Sequence, residues 1–293
     1  MKIKSTKLER LFDVSNVAFL LAMSALVVIP ILHVIAGSFS STNALIHSKV
    51  FIWPVDFNLD NFALVIQNET FWKSFRVSVF LVIVGTAVNM GLTMLTSYPL
   101  SRKYLMGRRY ILLLIVFTMI FQAPMVPNYL LVNDLGLINS IWSLIIPAAL
   151  NAFNLILCIT FFRSLPEELF EAARIDGMSE YGILWKIVLP LSLPITVTLL
   201  LFYAVQHWNS YFSALIYITD RDLYPLQLYM YNLLADANAI DNFRGISAEA
   251  VMDTSPQGLQ MATIVVATAP IVMIYPFIQK HFIKGAMLGS LKE

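Results

Sequence analysis

Six stretches of this chain contain no Asp, Glu, Lys or Arg, and each is long enough to cross a bilayer as a helix: 14–48, 77–101, 110–133, 135–162, 187–219 and 254–279. A crossing takes about 20 apolar residues of helix, and the backbone must satisfy its own polar groups once water is gone. The most apolar cores predict helices near 17–37, 76–98, 110–129, 139–162, 191–218 and 260–282. The ten-residue alternation of barrel strands is not visible. Only 13% of the 293 residues are charged, about half the ~25% typical of soluble domains. The expected class is an all-α integral membrane protein with six transmembrane helices. Cys158 is the only cysteine, so no internal disulfide can form.

Charge distribution predicts orientation. Basic residues cluster before the first span (Lys2, Lys4, Lys7, Arg10), between spans two and three (Arg102, Lys103, Arg108, Arg109), between four and five (Arg163, Arg174, Lys186) and after the last (Lys280, Lys284, Lys292). That places 14 of the 19 Lys and Arg residues on one side, which the positive-inside rule makes cytoplasmic. Both termini are expected there, with a cytoplasmic segment 1–16, a six-span body 17–283 and a cytoplasmic tail 284–293. The first apolar run exceeds the length of a signal-peptide h-region, so an uncleaved span is expected. Asn133, Asp134, Gly136 and Asn139 supply turn chemistry between spans three and four, predicting a tight helical hairpin. The external segments 38–71 and 219–259 read as caps or docking loops. The second carries six acids against Arg221 and Arg244.

The loop 163–190 is unusual for a connector, because RSLPEELFEAARIDGMSEYGILWKIVLP holds an amphipathic helix of its own. Ser164 and Glu167 have capping-box spacing, and Pro166 is tolerated in a first turn. Leu169, Phe170 and Ala173 form an apolar side, and Glu171 with Arg174 has the spacing of an i,i+3 pair. Gly177 suits a left-handed helix stop. A second short helix is expected from Ser179 to Val188. A helix resting on lipid headgroups would have a basic polar face. Here five acids (Glu167, Glu168, Glu171, Asp176, Glu180) outnumber the bases, which favours a protein partner.

EAARIDG, followed nine residues later by IVLP, resembles the EAA loop of ATP-binding-cassette (ABC) importer permeases. The six-span layout and WNSYF…YPLQL look like carbohydrate permeases of the type that includes the smaller maltose-transporter subunit. Met178 stands where family members often have Ala. The tail KGAMLGSLKE is similar to those of permeases for complex oligosaccharides, including pectin- and alginate-type uronides. The resemblance implies a bacterial cytoplasmic-membrane, multi-pass permease that moves oligosaccharides by alternating access. It implies a second homologous permease, two cytoplasmic ATPase subunits and an extracytoplasmic solute-binding protein as partners. It also makes Glu171, Ala172, Ala173, Asp176 and Gly177 the positions that couple to the ATPase, and suggests that the tail after Lys280 reaches the ATPase dimer interface. Permeases for peptides, amino acids or polyamines remain an alternative, and an ATP-independent secondary carrier a more distant one.

No GxxxxGK[ST] occurs, so ATP and Mg are expected on the partner ATPase, with no cofactor bound by this chain. His33, His47, His207 and His281 lack metal-ligand spacing, and neither a catalytic nor a nucleic-acid-binding motif is present. The chain is not expected to be an enzyme. Uncharged polar residues recur at spacings of three and four within the spans, which puts them on stripes. Thr86, Asn89, Thr93 and Thr96 mark span two. Tyr203, Gln206, Asn209 and Ser213 on span five, supported by Asn151 on span four, are the candidates for a solute path. Interhelical hydrogen bonding is the competing reading for each. The spans carry no charge, which argues against an ion-coupled carrier.

Overall fold

The computed structural model describes residues 7–235 and 255–290, and all regular structure among them is helical. In chain order the elements are α1 (Lys7–Ser38), α2 (Thr42–Ile46), α3 (Asp60–Gln67), α4 (Glu69–Ser101), α5 (Arg108–Ile120), α6 (Met125–Asp134) and α7 (Trp142–Ile145). Then follow α8 (Ala152–Arg163), α9 (Glu167–Ile175), α10 (Glu180–Leu191), α11 (Leu193–Trp208), α12 (Phe212–Tyr217), α13 (Leu226–Ala235) and α14 (Pro256–Ser290). The expected tail therefore continues as helix to Ser290, and its last three residues lie outside the described ones. So do residues 236–254, which hold most of the acids of the second external loop.

Helices α1, α4 and the 256–274 part of α14 are long and apolar enough to cross a membrane. Two more candidates are broken: the chain bends by 117° between α5 and α6, and by 86° between α10 and α11. The breaks have local causes. Pro124 caps α6, and Pro194 stands in the first turn of α11; proline supplies no N–H to continue a helix. The window 135–162 is also discontinuous, because Asn151 starts α8 afresh by accepting from Asn154 N–H at 3.1 Å.

The chain forms two compact units, 1–71 with 232–270 and 72–231 with 271–293. In the first, Ala36, Ala44, Leu45, Val50 and Met261 make a small core. Gly37 permits it, since a Cβ there would lie 2.1 Å from the Met261 sulfur. Every residue of α1 from 7 to 32 is exposed, although from Val17 to Leu32 the helix is apolar on all sides but for Ser24. Such a surface is stable only against lipid or a partner helix.

In the second unit α4 is the spine on which α8 and α11 pack. Met94 and Tyr98 of α4 meet Cys158 and Phe162 of α8, with Ile195 and Leu199 of α11, in the principal core. α4 widens to a π-turn at Leu81–Gly85, and the His207 ring of α11 lies directly against Gly85. The expected turn after α6 forms: Gly136 has φ +68° and Asn139 φ +59°. The Asn139 carboxamide oxygen also accepts from Thr219 N–H and Asp220 N–H at 3.1 and 2.9 Å, which latches the turn to the end of α12.

Candidate functional site

Local chemistry sets both ends of the loop helix α9. Pro166, not Ser164, is its N-cap, and no side chain caps it. The Ser164 hydroxyl instead donates to Phe161 O at 2.7 Å, so it serves the end of α8 and the expected capping box does not form. The stop is as read from the sequence. Gly177 has φ +75°, Gly177 N–H donates to Arg174 O and Met178 N–H to Ala173 O, both at 3.0 Å. That pair of bonds is a complete Schellman motif. Ser179 then caps α10 by accepting from Gly182 N–H at 3.2 Å.

The helix has two distinct sides. Phe170 and Ala173 are buried among Phe162, Ile183, Leu184 and Val188. Glu171, Ala172, Asp176 and Gly177 are exposed, so of the five proposed coupling positions only Ala173 faces inward. Beside Ala172, Ile175 is 87% exposed, an apolar group on an otherwise acidic face that the sequence reading passed over.

Arg102, immediately after α4, was counted from the sequence only as one of many basic residues. Its side chain is nearly inaccessible, and it lies under the loop helix. Its Nε donates to the Ser101 hydroxyl at 2.9 Å and an Nη to Phe162 O at 2.7 Å. The guanidinium covers the Phe170 ring at 3.7 Å from the centroid and approaches Glu167 at 3.7 Å. Burial lowers the Arg102 pKa and Glu167 opposes that; a guanidinium stays charged throughout. A buried, fully used cation thus joins α4, α8 and α9 at one point.

A second group of contacts ties α9 to α10. Arg174 pairs with Glu180 at 3.2 Å and lies over the Tyr104 ring at 4.7 Å. It does not pair with Glu171 as expected, because the Gly177 turn brings Glu180 back toward it. Glu180 also accepts from the Tyr98 hydroxyl. Partial burial alone would raise the Glu180 carboxyl, but hydrogen bonds from Tyr98, Tyr104 and Arg174 outweigh it and hold the group below the usual carboxylate range.

The proposed solute-path residues are less uniform. The Tyr203 hydroxyl is buried and bonded to Thr93 Oγ1 at 2.7 Å, and Asn151 is occupied as a helix cap. Asn89 donates to Ala148 O at 3.0 Å and lies 3.4 Å from the His207 ring nitrogen. Gln206 and Asn209, at the end of α11, are exposed, and Ser213 on α12 is half-buried. The stripe therefore divides into an inner part that holds helices together and an outer part with its amides free to solvate.

Several apolar helices long enough to cross a membrane, with an ordered loop helix packed against α4 and α8, define the class as a helical membrane protein. Residues 104–287 match the family described as binding-protein-dependent transport system inner membrane component. The chain belongs to that family. It is 43% identical over 290 residues to protein LplC of Bacillus subtilis, covering 98% of this chain and 97% of that one. It is 44% identical to the polygalacturonan/rhamnogalacturonan transport system permease protein YtcP of Bacillus subtilis, covering 97% and 99%. A bacterial ABC transporter involved in import of the acidic polysaccharide alginate has a chain with the same fold, at TM-score 0.90 and 32% identity, covering 96% of this chain and all of that one. Members of the family are the membrane-embedded components of their transport systems.

Proposed function

We propose that this chain is one of two permease subunits of an ABC importer for acidic, uronate-containing oligosaccharides. It would have six spans, counting the two bent pairs and α8 as one span each, with both termini in the cytoplasm. A second homologous permease, two ATPase subunits that bind ATP and Mg, and an extracytoplasmic solute-binding protein complete the assembly. The observation that carries the proposal is the loop helix: α9, which holds EAARI, ends in a Schellman stop at Gly177, turns Glu171 and Ala172 outward, and is tied on its inner side to Arg102 at the end of α4 through Phe170 and Glu167. A partner gripping Glu171, Ala172, Ile175 and Asp176 would move α4 and α8 with it, which is how alternating access would be driven.

The substrate class is supported by YtcP, named for polygalacturonan and rhamnogalacturonan, and by the transporter for the acidic polysaccharide alginate. Uncharged amides and hydroxyls suit a solute that must bind and also leave. Reconstituted with its partners, the transporter should take up oligogalacturonides with ATP and reject neutral oligosaccharides of the same length. Uptake of a neutral sugar or a peptide in preference would overturn the substrate reading. Replacing Gln206 and Asn209 together by Leu should reduce uptake while assembly and basal ATP hydrolysis persist. Normal uptake in that variant would remove these two residues from the path.

A further inference from the structure

A cluster of basic residues in the second unit lines a cavity beside the end of α8. The cavity, of about 510 Å³, opens between the 102–107 turn, the start of α5 and the end of α8. Lys103, Arg108, Arg109 and Arg163 line it together with Tyr110 and Leu112, and no Asp or Glu is among its lining residues. Arg108 and Arg163, from separate segments, both line it and carry like charge. The nearest loop acid in sequence, Glu167, is turned toward Arg102. Arg108 is held in place by donating from Nε to Leu100 O at 2.9 Å.

Orientation rules explain why basic residues gather on one side of a membrane. They do not require two segments more than fifty residues apart to bring four cations to one cavity without a counter-charge. Such an arrangement is stabilised by a bound anion with several oxygens, and a phosphate group offers charge-assisted bonds that match guanidinium forks. The surroundings specify what carries the phosphate. α5, which begins at the cavity, has no buried residue, and Ile111, Leu113 and Leu114 are exposed along it. Tyr110 is 76% exposed at its base, where aromatic residues sit at membrane interfaces. A phosphate with acyl chains would lay those chains along α5.

We infer that this cavity is a binding site for the headgroup of an anionic phospholipid, formed by Lys103, Arg108, Arg109 and Arg163. Basic pockets between transmembrane helices hold acidic headgroups in this way. None of these residues is on α9 or among those proposed for the solute path, so the inference stands whatever the transported solute is. The assembled transporter is placed in nanodiscs of phosphatidylcholine with and without phosphatidylglycerol, then released for native mass spectrometry. Phosphatidylglycerol should be retained in preference to phosphatidylcholine. Arg109→Gln with Arg163→Gln should lower its retention about ten-fold, whereas Lys186→Gln, an exposed basic residue outside the cavity, should not. Equal retention of both lipids by the unaltered protein would overturn the inference without recourse to any variant. Undiminished retention in the double variant would overturn the assignment to these residues. Saturable binding of inorganic phosphate with no lipid preference would assign the cavity to a soluble phosphate and likewise refute a lipid site.

Discussion

The joint under the loop helix and the polar contacts along α4 and α11 are both buried, yet they are built from opposite materials. At the joint, a cation is taken out of water and every face of it is used: two hydrogen bonds, an aromatic ring and a carboxylate. Along α4 and α11 the contacts are neutral, Thr93 to Tyr203 and Asn89 to Ala148 and His207. A buried charge is costly unless paired, so removing one member of its network is strongly destabilising. Neutral interhelical bonds in a membrane contribute only ~0.6 kcal/mol on average. The comparison teaches that the joint under α9 is fixed stiffly while α4 and α11 are held by contacts easily exchanged; on the proposed function the first would transmit force and the second would let helices slide.

The sharpest way to break this contrast is Arg102→Ala. It leaves Phe162 O without its donor and uncovers Phe170 in the core between α9 and α10. We expect ATP-driven uptake to fall at least ten-fold, equivalent to ~1.4 kcal/mol or more of lost coupling, with ATP hydrolysis no longer stimulated by loaded binding protein. Arg102→Lys should not restore coupling, because an ammonium lacks the planar fork and stacking face. Full activity in the lysine variant would show that charge alone is needed and that the joint is not a rigid clamp.

Gly177→Val comes next. A Cβ at Gly177 meets nothing within 4 Å, so only its φ of +75° resists substitution. Forcing a β-branched residue there costs ~1–3 kcal/mol of backbone strain, and the Schellman bonds that place Glu180 should loosen. Gly177→Asn, which tolerates the left-handed region, should keep most activity. If valine and asparagine behave alike, the helix stop does not position α10.

Gly85 tests the sliding side of the contrast by the opposite logic, since its φ is ordinary and its space is not. A Cβ there would stand 2.5 Å from His207 Nε2. Gly85→Ala should lower thermal stability by ~1–3 kcal/mol through overpacking, and His207→Ala in the same chain should recover part of the loss. A double variant no better than Gly85→Ala would mean that the π-turn, not the ring, is what cannot accept a methyl group.

Much of this was legible in the sequence, and the misses share a cause. Charge-free windows located the apolar helices, and Gly177 and Gly136 announced a helix stop and a turn because those depend on residues a few positions apart; the helix expected over Ser179–Val188 starts after Ser179, its cap, and runs on to Leu191. The interruptions inside the windows were marked by Pro124, Pro194 and Asn151, but hydropathy averages over single breakers. Arg102 was invisible as a clamp because its acceptor Phe162 O lies sixty residues away, and basic residues near span ends are expected for orientation alone. Ser164 misled because one hydroxyl can serve the helix before it or the helix after it. Arg174 misled because i,i+3 spacing toward Glu171 competes with a partner that only the Gly177 turn brings near.

The smallest effect expected is at Thr93 and Tyr203. Their hydroxyls share one bond of 2.7 Å in a buried position on facing helices. Thr93→Val and Tyr203→Phe each remove one partner and leave the other unsatisfied, so each single change should cost more than the bond itself is worth. The double variant should therefore be less destabilised than the sum of the two, with a coupling of ~0.6 kcal/mol in thermal or denaturant unfolding. Uptake should survive in all three, because neighbouring helices can repack around a neutral hydroxyl. A coupling several times larger, or loss of uptake in Tyr203→Phe alone, would make this contact part of the transport machinery and would erase the division between a stiff joint and an exchangeable interior.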